Sequence, residues 1–246
     1  MTVTAREGWT DRSGPRIRFL DNAPAEPVGL PLLLSPGFTD HADEYLAVLE
    51  FFVPRRAVVV EVRGRGGSEA PDDGYSAAAH AEDLRAVVDE AGFDRFHLMT
   101  FSRGTTWGLD LALGDPDRVA TVSIGDYPPG EIALDEQRAD DIMTSRFRGR
   151  PMPDRIPSHV PAAVFRSSHD RDLTDVLAAT AIPVLIATGT EAGCLLDVAA
   201  LAEYETRIPG SETVVIAGAA HDLFRPDRLA YPRAVADFIT RRAPGR

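Results

Sequence analysis

The stretch LMTFSRGTTWGLDLA, residues 98–112, places a serine at a sharp junction between an apolar run and a segment with helical character. The run before Ser102 is typical of a buried strand, and the helical segment follows at once. A serine in a strained strand-to-helix turn exposes its hydroxyl beside the N-terminus of a helix. There the free backbone N–H groups and the helix dipole can stabilise a developing oxyanion. The junction therefore makes Ser102 a candidate functional residue.

Similar apolar runs on both sides of this stretch alternate with helical segments. The runs that predict strands are LPLLLSPG (30–37), AVVVEVRGRGG (57–67), RFHLMTFS (95–102), VATVSIGD (119–126), IPVLIATG (182–189) and ETVVIAG (212–218). Continuous apolar runs suit parallel strands that are covered on both faces. The pattern predicts an α/β protein with a doubly wound, mostly parallel sheet. RIRFLD (16–21) alternates instead, which predicts an antiparallel edge strand.

Residues 127–181 interrupt this alternation and are rich in Pro, Arg and Asp. We predict that they form a cap insertion within a single domain of residues 1–246. Apolar side chains of the cap are expected to line a pocket: Met143, Phe147, Met152, Val160 and Phe165. The arginines of SRFRGR (145–150) are expected to form a solvated, salt-bridged face, although they could instead attract a carboxylate.

Composition excludes several function classes. All 26 basic residues are arginine, so the chain has no lysine for a Schiff base or a phosphate-binding loop. The net charge of −12 argues against nucleic acid as a partner. The single cysteine, Cys194, cannot form an internal disulfide. We find no apolar run long enough for a membrane span and no signal peptide at the N-terminus, so we expect a cytoplasmic protein without membrane association.

The turns of the chain resemble those of the α/β-hydrolase superfamily over nearly its whole length. Thr100-Phe-Ser-Arg-Gly104 resembles the nucleophile elbow G-x-S-x-G, with threonine for the first glycine. LLLSPGF resembles the family's HG turn, with Pro36 in place of histidine. EVRGRGGSEAPDDGYS resembles the D-x-R-G-x-G-x-S turn, with Glu61 for aspartate. GAAHDLFRPDR resembles the last turn, which carries the histidine.

The resemblance implies a member with a serine nucleophile and a short cap. Ser102 would attack the substrate, and His221 would be the general base. The backbone N–H groups of Phe38 and Arg103 would form the oxyanion hole. We leave the remaining histidines as structural or solvated: His41, His80, His97, His159 and His169.

The acid of the triad is not where the family commonly places it, because that position is Ala192. Asp126, at the end of the preceding strand, is the favoured substitute, since some superfamily members carry their acid there. Glu191 is the alternative acid, and the absence of any working acid also stays open. Asp197 is expected to cap a helix instead.

These residues imply a cofactor-free serine hydrolase without a metal ion, which would cleave an ester, thioester, lactone or related acyl bond of a small molecule. The first alternative is a non-hydrolytic lyase or cyclase of the same fold, in which Ser102 and His221 transfer protons. The second is a ligand-binding protein on a decayed hydrolase scaffold. The oligomeric state and the physiological substrate are not indicated by the residues.

Overall fold

An eight-stranded sheet runs through the centre of the molecule, with the strand order β1-β2-β4-β3-β5-β6-β11-β12. The computed structural model describes residues 5–11 and 14–242. The strands are β1 (Arg6–Trp9), β2 (Arg18–Asp21), β3 (Leu32–Ser35), β4 (Ala57–Glu61), β5 (Phe96–Phe101), β6 (Val119–Gly125), β7 (Gly130–Glu131), β8 (Arg146–Phe147), β9 (Arg150–Pro151), β10 (Arg171–Asp172), β11 (Val184–Gly189) and β12 (Glu212–Ile216). The short pairs β7–β10 and β8–β9 form two further small sheets.

Helices connect the strands of the large sheet. The α-helices are α1 (Leu46–Phe52), α2 (Ala77–Glu90), α3 (Gly104–Gly114), α4 (Ala139–Thr144), α5 (His159–Ser167), α6 (Thr174–Ala179), α7 (Val198–Arg207) and α8 (Ala230–Arg242). Single 3₁₀ turns cover Ala42–Tyr45, Pro116–Arg118, Glu136–Arg138 and Met152–Asp154. Among the residues that the structure describes, no helix is both long and apolar enough to span a bilayer.

Six neighbouring strands of the large sheet are parallel, as the apolar runs predict: β4, β3, β5, β6, β11 and β12. Helices α2, α3, α6 and α7 contribute to the apolar core on one face. Helices α1 and α8 contribute to the core on the other face. The doubly wound α/β architecture is therefore confirmed.

The antiparallel strand predicted for residues 16–21 is confirmed, but its predicted position at the edge of the sheet is wrong. Strand β2 is antiparallel to β4, but β1 pairs with its other side and takes the edge. The sequence of β1, REGW, alternates weakly and is half-exposed to exposed, so no apolar pattern marks it as a strand.

Local features of the sequence define the ends of helices α2 and α8. The Ser76 side chain accepts a hydrogen bond from the Ala79 N–H at 3.2 Å and caps α2. Gly92 follows that helix with a φ of +69°. Pro232 lies in the first turn of α8, where its missing N–H removes no hydrogen bond of the helix. The proline thus delays the start of the helix and does not interrupt it.

The segment between β6 and β11 contains α4, α5 and α6 together with the two small sheets. It has its own apolar cluster, in which Val160 and Phe165 are buried with Tyr75 of the preceding core turn. The Phe165 ring also lies 5.8 Å from the ring of Phe38, which follows β3. This segment therefore packs over the turns at the carboxyl ends of the strands.

The turn at Ser102 depends on very close packing between β3, β5 and α3. Ser102 has a φ of +51°, in the left-handed region, and its N–H donates to the Gly125 carbonyl at 2.8 Å. A β-carbon on Gly104 would lie 2.2 Å from the Pro36 carbonyl oxygen, so only glycine fits there. Thr100 is accommodated because Gly108 leaves room for it; a β-carbon there would lie 2.6 Å from the Thr100 methyl group.

We predict that Gly104→Ala destabilises the protein by about 2 kcal/mol or more, because the new methyl group meets backbone atoms that cannot move aside easily. Gly114→Ala is the matched control in the same helix. Its methyl group meets only the end of the flexible Arg85 side chain, so the change is expected to be neutral or slightly stabilising. Urea unfolding of both variants measures the difference. Equal midpoints for the two variants would contradict the packing argument.

Candidate active site

Three of the predicted site residues form one continuous line of hydrogen bonds. The Ser102 hydroxyl lies 2.9 Å from Nε2 of His221. Nδ1 of the same imidazole lies 2.7 Å from Oδ2 of Asp126. A carboxylate can only accept, so Nδ1 carries the proton and Nε2 is free to accept from Ser102. The arrangement provides a hydroxyl, a base and an acid in the order that nucleophilic catalysis requires.

Sheet topology explains how residues so distant in sequence meet. Ser102 follows β5, Asp126 follows β6 and His221 lies in the turn after β12. These strands are parallel, and β11 lies between β6 and β12, so their carboxyl ends share one edge of the sheet. The Phe101 ring lies 5.3 Å from the His221 ring and provides an apolar wall for the imidazole.

Asp126 is fully buried and has a φ of +44°. Its carboxylate accepts hydrogen bonds from the Leu195 N–H at 2.9 Å, the Leu196 N–H at 3.1 Å and the Thr188 hydroxyl at 2.8 Å. Burial by itself raises the pKa of Asp126, but the bonds from His221 and these donors together lower it below its ordinary value of 3.8. Asp126 is therefore held as a carboxylate that faces His221.

Glu191, the alternative acid, is not brought to the imidazole. Its side chain is exposed, and one of its carboxylate oxygens accepts from the Thr190 hydroxyl at 3.0 Å. Its backbone N–H donates to the Ala219 carbonyl at 2.9 Å. Asp197 caps α7 through the Ala200 N–H at 2.7 Å, as its position predicts.

The two residues predicted for the oxyanion hole flank Ser102 from opposite sides. Arg103 is the next residue, and Phe38 ends the turn whose carbonyls press against Gly104. Within residues 5–11 and 14–242, neither backbone N–H donates to another protein group. Both donors are therefore available to a ligand, which is the condition that an oxyanion hole must meet. The Arg103 side chain is used elsewhere, in a buried ion pair with Glu131 at 2.7 Å.

Arg148 of the SRFRGR segment differs from the prediction of a solvated face. It is largely buried and pairs with Asp222 at 2.9 Å and with Asp40 at 3.3 Å. Asp222 adjoins His221, and Asp40 closes the turn that holds Phe38. Arg146 and Arg150 are exposed, as predicted. No local pattern in the sequence predicts the burial of Arg148, because its carboxylate partners lie on turns that are distant along the chain.

A cavity of about 500 Å³ is lined by residues of the cap. Its walls include Ile132, Leu134, Ile142 and Phe165. The ring of Phe165, one of its walls, lies 5.8 Å from the ring of Phe38, which belongs to the turn of the predicted oxyanion hole. Of the side chains predicted to line an apolar pocket, Phe165 lines this cavity and the other four do not. Met152 and Val160 are buried in the cap itself, and Met143 and Phe147 are half-buried.

The remaining histidines have other partners. His80 stacks on Trp107, with 4.3 Å between the ring centroids, and His97 bonds to Thr121 at 3.0 Å. His41 and His159 bond to backbone carbonyls. Over the described part of the chain, no group of three or more His, Cys, Asp or Glu side chains is arranged to hold a metal ion.

Comparison with known proteins agrees with this architecture. A family model described as alpha/beta hydrolase fold matches residues 31–139. The chain has an α/β-hydrolase fold. The solved structure of E-2-(acetamidomethylene)succinate hydrolase superposes on this hydrolase fold with a TM-score of 0.77, at 22% identity over 96% of this chain and 99% of that one. An esterase from Rhodococcus sp. ECU1013 gives a TM-score of 0.77 at 22% identity, over 99% and 100% of the two chains.

Sequence relatives cover a smaller part of the fold. A fluoroacetate dehalogenase of a Burkholderia species is 35% identical over 114 residues, which are 44% of this chain and 38% of that protein. The chain spans about two fifths of the length of the first curated relatives that it matches.

The lowered pKa of Asp126 leads to a prediction about stability and pH. The ionised carboxylate stabilises the fold fully above the ordinary pKa of 3.8, and this contribution is lost as the pH falls through the lowered pKa. Asp126→Asn is therefore expected to unfold at lower urea concentration than the original protein at about pH 7, with a smaller difference at about pH 3. Glu191→Gln, at an exposed carboxylate of the neighbouring loop, is the control and should stay close to the original protein at both pH values. A deficit of Asp126→Asn that is equally large at both pH values would contradict the prediction.

Proposed function

We propose that the chain is a serine hydrolase that cleaves an ester or related acyl bond of a small molecule through an acyl-Ser102 intermediate. The observation that carries the proposal is the unbroken hydrogen-bonded line from Ser102 through His221 to Asp126, with separations of 2.9 and 2.7 Å. The left-handed turn at Ser102 supports it, because that conformation holds the hydroxyl beside the start of α3.

In the acylation step, His221 Nε2 takes the hydroxyl proton while Ser102 Oγ attacks the substrate carbonyl carbon. Negative charge develops on the carbonyl oxygen, where the N–H groups of Phe38 and Arg103 would bind it. Asp126 stabilises the imidazolium that forms and keeps its orientation. The imidazolium then gives its proton to the leaving group, the bond to that group breaks, and the acyl group stays on Ser102.

Deacylation repeats the same chemistry with water. His221 accepts a proton from the water molecule, whose oxygen attacks the acyl carbon. Collapse of the second tetrahedral intermediate releases the carboxylic acid and returns the proton to Ser102. Both steps as written use only the named groups of this chain, the substrate and one water molecule.

Halide displacement, named for the Burkholderia relative, is not expected of a serine. If Ser102 displaced a halide from carbon, the product would be an ether between Ser102 and the substrate. Water does not cleave such an ether under these conditions. A carboxylate nucleophile would leave an ester, which water can hydrolyse. A serine at the elbow therefore favours acyl substrates, whose serine ester is a true intermediate.

The cavity lined by residues of the cap supports a substrate with an apolar group. Its volume of about 500 Å³ is within the range of pockets for small molecules. Ile132, Leu134, Ile142 and Phe165 offer apolar surface, while Arg138, Asp135 and Asp141 lie among its other walls. We propose that this cavity receives the acyl or alcohol portion of the substrate.

We expect the protein to hydrolyse p-nitrophenyl esters, in a series from acetate to longer acyl chains, and to be labelled at Ser102 by a fluorophosphonate. Ser102→Ala should lose both properties, with kcat lower by about 10³-fold or more. Ser123→Ala is the control, because this buried serine lies on β6 and its hydroxyl has no partner among the described residues. It should retain both properties.

Other outcomes would identify a different function. Turnover of a carbon–carbon or cyclising substrate with no acyl adduct on Ser102 by mass spectrometry would indicate proton transfer by a lyase. Binding without any turnover and without labelling of Ser102 would indicate a ligand-binding protein. Either result would overturn the proposed hydrolase.

A further inference from the structure

The guanidinium of Arg65 lies beneath the turn that carries Phe38. Arg65 belongs to the EVRGRGGSEAPDDGYS turn and is fully buried. Its guanidinium carbon is 4.9 Å from the centre of the Phe38 ring and 5.2 Å from the centre of the Trp107 ring. Two aromatic faces therefore contact this cation.

Every hydrogen bond of Arg65 goes to a neutral acceptor. Nε donates to the Phe38 carbonyl at 2.8 Å, and Nη1 donates to the Arg63 carbonyl at 2.6 Å. Nη1 also lies 3.1 Å from Nε2 of His80. Because Nδ1 of His80 bonds to the Ser76 carbonyl at 2.9 Å, it carries the proton and leaves Nε2 as an acceptor.

The neighbouring arginines, in contrast, have carboxylate partners. Arg63 pairs with Asp83 at 2.6 Å, and Arg103 pairs with Glu131 at 2.7 Å. Arg65 has no carboxylate within ion-pair distance among the described residues, and its Nη2 is buried without a hydrogen-bond partner. Burial lowers the pKa of Arg65 to about 9, so the side chain is still a cation at neutral pH.

Burying a charge that forms no ion pair costs folding free energy. Here the charge bonds directly to the residue whose N–H would bind the oxyanion. Nη2 has no access to solvent, so Arg65 cannot touch a substrate and can act only through Phe38.

We propose that Arg65 is a positioning residue of the oxyanion hole. It fixes the Phe38 turn through the carbonyl of Phe38. It also places a positive charge, which has no carboxylate within ion-pair distance among the described residues, beside the site where the substrate oxygen becomes negative. Preorganised charge of this kind stabilises the transition state more than the bound substrate. The inference rests on the proposed serine hydrolase and extends it to a residue that does not contact the substrate.

The test compares kcat and KM for a p-nitrophenyl ester in Arg65→Met, Arg65→Lys and the control Arg155→Gln. Arg155 is also buried and donates to the next carbonyl, that of Thr39, at 2.9 Å, but Glu44 pairs with it at 2.6 Å. We expect Arg65→Met to lower kcat roughly 10- to 100-fold with KM changed less than about threefold. Arg65→Lys, which keeps the charge, should recover most of the loss, and Arg155→Gln should keep kcat within about threefold.

A second readout does not depend on turnover. The amide resonance of Phe38 reports directly on the turn. The N–H of Asp40, which donates to the Gly37 carbonyl at 3.2 Å within the same turn, should exchange about tenfold faster in Arg65→Met but not in Arg155→Gln. If Arg65→Met fails to fold, the same measurements on Arg65→Lys apply, with folding retained and a smaller change in the same direction expected.

Three results would overturn the positioning role: an unchanged kcat in folded Arg65→Met, a loss of kcat that Arg155→Gln reproduces, or an unchanged Phe38 amide. If the original protein has no activity that depends on Ser102, the proposed hydrolase fails. The Phe38 amide then still decides whether Arg65 holds the turn.

Discussion

The turn between β5 and α3 is the constraint on which the rest of the site depends. Ser102 adopts a left-handed conformation, and Gly104 brings α3 against the carbonyls that follow β3. This contact brings the turn of Phe38 and the N–H of Arg103 to the two sides of the serine. A parallel sheet then supplies the other partners, because the strands next to β5 end at the same edge. The hydroxyl of Ser102, the imidazole of His221 and the carboxylate of Asp126 therefore lie along this edge, each within hydrogen-bond distance of the next.

Local patterns in the sequence predict most of the residues that meet at this edge of the sheet. The apolar runs gave six strands of the sheet, and small residues around Ser102 marked the elbow. The position of Asp126 at the end of β6 was enough to make it a candidate, although Glu191 remained an alternative. The structure places Asp126 against His221 Nδ1, and the Leu195 and Leu196 N–H groups hold the Asp126 carboxylate there. These contacts join loops far apart in the chain, so no local pattern contains them.

Buried arginines connect the cap to the turns at the carboxyl ends of the strands. The hydrophobic periodicity of the sequence does not predict these contacts. Arg148 joins a cap hairpin to Asp222 and Asp40, and Arg155 joins the cap to Glu44. Each of these pairs balances a charge that burial would otherwise disfavour. Arg65 forms no such ion pair within the described part of the chain, and its position beside Phe38 is the basis for the positioning role that we propose.

The pair of variants Asp126→Asn and Glu191→Gln tests the central claim, a working triad with Asp126 as its acid, most directly. Steady-state hydrolysis of one p-nitrophenyl ester by both proteins is the measurement. We predict that Asp126→Asn lowers kcat by about 10³-fold or more, because the imidazole loses its orientation and tautomer, while Glu191→Gln stays within about threefold. Equal activities in the two variants, or a large loss only in Glu191→Gln, would contradict the account.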